Sequence, residues 1–147
     1  MLGGPGMNSR LNLSLREKRG IVYSVGSQYV PFSDTGIFSV MFGTEPSQMR
    51  KAIELVKLEL KKMGDTRMGE RQLSTAKEQF MGQVAMSEEN NSSFMMMMAR
   101  SLLDLGQVPS LDELFKAVKA ATAEQVRQLA EEMFDESKLS TLVLEPK

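Results

Sequence analysis

Apolar residues stand four apart at Met7, Leu11 and Leu15, so a helix over residues 7–19 stacks them on one face. Lys18 and Arg19 fall in its last turn, where cations suit the helix dipole. Gly20 follows as a stop that accepts the left-handed conformation. The pattern then changes. Residues 21–30 and 35–43 are rich in branched and aromatic side chains, with Pro31-Phe32-Ser33-Asp34 as a turn between them. An antiparallel hairpin over 21–43 is predicted. Ile21, Tyr23, Val25 and Tyr29 alternate onto one face, and Val22, Ser24, Gly26 and Gln28 onto the other. Phe38, Val40 and Phe42 form an apolar face on the second strand, and Gly26 and Gly36 mark bulges or close backbone approach.

Helical spacing governs residues 45–134. Thr44 is a candidate cap, with Pro46 in the first turn and Met49, Ala52, Ile53, Val56, Leu60 and Met63 as the apolar stripe. Gly64 after Lys61 and Lys62 is a C-terminal signal. A second helix, over about 69–89, carries Leu73, Ala76, Phe80 and Val84, until Asn90-Asn91-Ser92-Ser93 breaks it. A third holds Phe94, the run Met95 to Met98, Leu102 and Leu105, and stops at Gly106. Ser110-Leu111-Asp112-Glu113 and Thr122-Ala123-Glu124-Gln125 each have the capping-box pattern at the start of a further helix. Residues 139–145 read as a final strand that returns to the sheet. Strands grouped apart from helices indicate an α+β domain of two layers, an antiparallel-rich sheet covered by helices on one face.

Composition narrows the chemistry. The 147 residues suffice for one domain with a core, and 41% hydrophobic with 25% charged residues is ordinary for a globular chain. A formal net charge of −1 makes no case for nucleic acid or an anionic membrane surface. No apolar run reaches the length of a membrane span. No charged-then-apolar leader is visible at the N-terminus, and the compartment stays open between cytoplasm and periplasm. There is no Cys, which removes disulfides and thiolate sites, and no His, which removes histidine-bound zinc and any Ser-His-Asp triad. The methionine run suits soft-metal ligation or apolar packing; without His, Cys or spaced repeats it reads as a core or buried interface helix. Glu88 and Glu89 point in different directions on a helix and read as surface charge rather than a cation site. Glu17, Lys18 and Arg19 read as a solvated face, while Asn8 and Ser9 suit capping and local turn bonds.

Arg16 lies just before the Gly20 turn and Tyr23 just after it, so two long polar side chains are brought near one space. A guanidinium and a phenol are donors that meet carbonyl oxygens and an oxyanion without changing protonation. Spacing alone favours a solvated cation in the last helical turn for Arg16 and a half-buried strand aromatic for Tyr23 over a shared site.

The surrounding motif adds a family. Leu2-Gly3-Gly4-Pro5-Gly6-Met7-Asn8-Ser9-Arg10-Leu11, then Leu15-Arg16-Glu17-Lys18-Arg19-Gly20, Ile21-Val22 and Tyr23-Ser24-Val25, resembles the C-terminal domain of the insulinase/pitrilysin-type zinc metallopeptidases. That group includes the mitochondrial processing peptidases. Pro5 and Asn8 are the departures. The order of elements fits over nearly the whole chain. The resemblance implies that residues 1–147 are a single partial C-terminal domain whose leading strand and helix are missing. It implies that Arg16 and Tyr23 bind an extended peptide substrate opposite zinc held by a His-x-x-Glu-His helix in an N-terminal half. This chain then binds no cofactor and is inactive alone. A sheet short of a strand would also let two copies join edge to edge. The alternative within the same fold is a non-catalytic structural or assembly subunit.

Overall fold

The computed structural model describes residues 1–4, 6–88 and 91–145, so the expectations placed on Pro5, Glu89 and Asn90 lie outside it. The chain forms two compact units, Met1–Arg67 with Arg127–Lys147, and Met68–Val126.

In the first unit a short helix begins at Arg10 and runs as a π-helix over Asn12–Glu17. Its wide turn is visible in the bond from the Lys18 amide to the Leu13 carbonyl, 3.1 Å. Leu11 and Leu15 are fully buried, and each stabilises the fold by about 1.5–3 kcal/mol relative to exposure. Met7 lies outside the helix and is exposed, which corrects the expected three-residue stripe. The end of the helix is a Schellman motif. The Gly20 amide bonds the Arg16 carbonyl at 2.8 Å and the Ile21 amide bonds the Leu15 carbonyl at 3.0 Å, with Gly20 at φ +61°.

Ile21 and Val22 are both buried and belong to the connection, not to a strand. Strands β1 (Ser24–Pro31) and β2 (Gly36–Gly43) pair antiparallel, from Ser24 opposite Gly43 to Pro31 opposite Gly36. The register is one-to-one throughout, so Gly26 and Gly36 are not bulges. Gly36 instead leaves room for the Tyr29 ring, whose atoms an added Cβ would meet at 2.2–2.7 Å. Phe38 reaches the core side, with its ring centroid 5.0 Å from that of Phe134.

Helix α1 (Met49–Asp65) buries Ala52, Val56, Leu60 and Met63 at helical spacing. Two expectations about its ends are corrected. Thr44 does not cap it, because Pro46–Gln48 forms a 3-10 turn first and the Thr44 hydroxyl bonds the Ile21 carbonyl instead. Gly64 is inside the helix, where a Cβ would stand 3.1 Å from the Glu131 backbone; it is a close-approach glycine, not a cap. Arg127 secures this contact by donating to the Gly64 carbonyl at 3.1 Å. Residues 139–145 form no ladder among the described residues, and Leu142 and Leu144 are 85% and 86% exposed. Their composition suits a strand, but a strand exists only with a partner, and the only strands among the described residues pair with each other.

In the second unit α2 (Glu70–Glu88) packs with α3 (Asn91–Leu105) and α4 (Leu111–Ala120). Gly106, at φ +70°, ends α3 as its pattern predicts. Met95 and Met96 are exposed and Met97 and Met98 half-buried, so the methionine run is not a buried core. The Ser110 capping box forms in full, and Thr122 and Gln125 make the same reciprocal bonds at α5 (Ala123–Met133).

Candidate functional site

The Gly-rich start and β1 bound an open groove of about 350 Å³. Gly3 and Gly4 line one side, Asn12 and Arg16 another, and Ser24 to Gln28 with Met41 the rest. The local sequence explains this arrangement. The Ser27 amide donates to the Gly3 carbonyl at 2.9 Å, and the Leu11 amide donates to the Leu2 carbonyl at 2.9 Å. The first residues therefore bridge the helix to the outer edge of β1, and the bond at Ser27 covers part of an edge that an extended peptide would otherwise use.

Asn12 fixes the helix side of the groove. Its side-chain amide donates to Ser9 Oγ at 2.8 Å, and both residues are buried. Ser9 is thus structural, as its position before the helix predicts, while Asn8 makes no capping bond among the described residues. Behind Asn12, Ser14 Oγ donates to Glu59 Oε1 at 3.0 Å, and Lys62 reaches the same oxygen at 2.9 Å. Arg19 donates to the Ser14 carbonyl at 2.7 Å and to Ser14 Oγ at 3.0 Å. It staples the helix end while staying exposed, as Glu17 and Lys18 are, so the three residues form the solvated face expected of them.

Arg16 is the charged side chain of the groove. It is nearly half exposed, and its ion pair with Glu17 is 3.9 Å long. An exposed pair of that length contributes little, about 0–1 kcal/mol, and leaves most of the guanidinium fork free for a ligand. Tyr23 is 63% exposed and does not line the groove, although Ser24, the next residue, does. Its phenol donates to Glu45. The two expected site residues are thus not brought into one cavity. Glu45 and the groove residues Gln28 and Met41 were not singled out from the sequence. Only Glu45 carried a signal, since a residue before proline is held extended and so has a defined direction.

The lining supplies donors, acceptors and an apolar contact from Met41, but no carboxylate, lysine or imidazole for proton transfer. Nitrogen and sulfur donors for zinc are absent because the sequence has no His and no Cys, and no cluster of three or more acidic residues stands together among the described residues. The residues present therefore fit peptide recognition and do not fit a zinc site.

Comparison with known proteins gives the family. The family described as the peptidase M16 inactive domain matches residues 1–80. The chain belongs to that family. An uncharacterized zinc protease of Streptomyces coelicolor is 32% identical over 90% of the chain, and one of Bacillus subtilis is 31% identical over 97%. The chain spans 28% and 35% of those relatives' lengths. Among solved structures, the peptidase M16 inactive domain from Pseudomonas fluorescens matches with a TM-score of 0.77 at 23% identity, covering 89% of this chain and 31% of that one. A chain of complex III2 from Candida albicans matches with a TM-score of 0.75 at 22% identity, covering 84% and 29%. These structures share the fold. Within the M16 inactive domain, then, the observed α+β architecture is the one the sequence motif implies.

Proposed function

We propose that this M16 inactive domain is the substrate-holding, non-metal-binding C-terminal part of a zinc metalloendopeptidase. Zinc, and the water it activates for peptide hydrolysis, belong to an N-terminal half. The observation that carries the reading is Arg16, a weakly paired guanidinium in a groove walled by β1 and otherwise free of charge. A peptide backbone offers carbonyl oxygens, and the tetrahedral intermediate adds an oxyanion; a fixed guanidinium meets both. Tyr23 is the second contact, at the end of β1 where an extended chain would leave the groove. The names of the bacterial relatives support proteolysis as the activity of the longer protein.

The test mixes this chain with a zinc-bearing N-terminal half from the same source and follows cleavage of an unstructured peptide. Cleavage is expected only in the mixture. Arg16→Ala is expected to lower kcat by about 100-fold, the scale of losing one oxyanion donor. If the halves associate and the variant cuts like the parent, Arg16 does not hold substrate. The structural-subunit reading would then take its place.

A further inference from the structure

We propose, on the substrate-holding reading above, that Met41 and the gap opposite it at Gly26 form a subsite for one apolar side chain of the peptide, next to the peptide unit that Arg16 holds. The strand register defines the gap. Gly26 stands opposite Met41, Ser24 opposite Gly43 and Gln28 opposite Ser39. Residues opposite each other project to the same face of a sheet, and alternate pairs share that face. Across these three pairs Met41 is therefore the one apolar side chain, among Gly, Ser and Gln neighbours. The core does not use it. Phe38, Val40 and Phe42 project to the opposite face, where Phe38 meets Phe134, and Met41 is 60% exposed. A single exposed methionine is ordinary on a surface, but this one lines the groove that Arg16 also lines.

The fold does not require the gap. A Cβ at Gly26 would meet only the Gly3 carbonyl oxygen, at 3.7 Å, an ordinary van der Waals distance. Gly3 and Gly36 are different, since a Cβ there would strike atoms at 2.6 Å and 2.2 Å. Glycine weakens a strand in which a larger residue would fit, so the space beside Met41 is left to a ligand. Charge then sets the class of side chain. The lining holds one cation, Arg16, and no carboxylate. A lysine or arginine of the peptide would face a like charge without a partner. A glutamate or aspartate would pair with the guanidinium and draw it from the carbonyl and the oxyanion, so it binds but is cut slowly. An apolar side chain leaves Arg16 free and lies against the thioether, a flexible group that adapts to the shape beside it.

The test is the two-half cleavage assay with two series of unstructured peptides, varied to Leu, Lys or Glu at the residue before or after the scissile bond. In one series kcat/KM for the Leu peptide is expected to exceed that for the Lys peptide by about tenfold, the scale of one pocket contact. The Glu peptide is expected to lower KM and kcat together. Met41→Glu is expected to reverse the Leu-over-Lys preference. Gly26→Val is expected to remove it by filling the gap, while melting at or above the parental temperature. Gly26→Ala, whose methyl the strand accommodates, takes its place if the valine lowers the melting temperature. Equal kcat/KM for the Leu and Lys peptides in the parent overturns the subsite. So does a preference that survives both Met41→Glu and the Gly26 variant, or a Met41→Glu loss that is the same for every peptide. In each of these cases a defect in Arg16→Ala leaves the substrate-holding reading standing. No cleavage in the mixture, or an Arg16→Ala variant that cuts like the parent, overturns both.

Discussion

The carbonyl of Gly3 accepts a 2.9 Å hydrogen bond from the amide of Ser27, and an ideal Cβ on Gly3 would lie 2.6 Å from that same nitrogen. The two backbones approach as closely as they do because no side chain stands between them. Gly3→Ala must therefore shift the first segment off β1 or open the groove that both line. Forcing a methyl into such a contact costs about 1–3 kcal/mol. Gly4→Ala is the control, since its Cβ would meet only the Met1 nitrogen, at 3.7 Å. Thermal denaturation of the two variants checks this. Equal melting temperatures would show that the Gly3 contact is not needed.

Gly20 is required for a different reason. Nothing lies within 4 Å of where its Cβ would be, yet its φ is +61°. The cost of Gly20→Ala is therefore conformational, about 1–2 kcal/mol for an L-residue held left-handed. Asn tolerates this region better than Ala and is expected to recover part of the loss. Chemical denaturation of Gly20→Ala and Gly20→Asn orders the two. An Ala variant as stable as the parent would mean that the Schellman turn does not constrain the helix end that carries Arg16.

Ser14 and Glu59 join the first helix to α1, and the contact is buried on both sides. Ser14→Ala removes a donor from a carboxylate that retains Lys62, while Arg19 keeps its bond to the Ser14 carbonyl. The loss is expected to be about 1–3 kcal/mol, because the partner is left buried and less satisfied. Replacing both residues, as Ser14→Ala with Glu59→Leu, is expected to cost less than the sum of the single changes. Additive losses in urea denaturation would show that the pair does not act as a unit.

Local signals explain which parts of this structure were legible in the sequence. The Gly20 stop, the Gly106 stop and the two capping boxes are each set by a few neighbouring residues and form where their patterns stand, and the hairpin forms as well, without residues 21–23 and with Pro31 in its first strand. The failures are tertiary. Gly64 carries the sequence signature of a helix end but exists for its contact with Glu131. Thr44 has the chemistry of a cap, yet its hydroxyl is spent on Ile21, far away in sequence. Residues 139–145 have strand composition, but composition cannot supply a pairing partner. The same limit applies at the site. The motif offered Arg16 and Tyr23 as candidates, and of these only Arg16 lines the groove, which depends on a backbone contact from Gly3 to Ser27 that no periodicity encodes.

The capping box of α4 gives the second unit a pH dependence of known sign. The Glu113 carboxylate accepts from the Ser110 amide at 2.8 Å and from the Ser110 hydroxyl at 2.9 Å. These two bonds, the amide first, hold its pKa below the ordinary glutamate value of 4.5, against a smaller opposing effect of desolvation. A carboxylate whose pKa is lower in the folded state stabilises that state above its unfolded pKa. The contribution is complete above about pH 4.5, the reference value, and is lost as the pH falls through the lower folded value. Ser110→Ala removes the hydroxyl bond and the side-chain cap, and Glu113→Gln removes the titrating group. Melting temperatures measured from neutral pH down to pH 3 are expected to fall less steeply in Glu113→Gln than in the parent, and the gap between them to close at the acid end. Parallel curves would mean that the capping carboxylate does not couple helix stability to protonation.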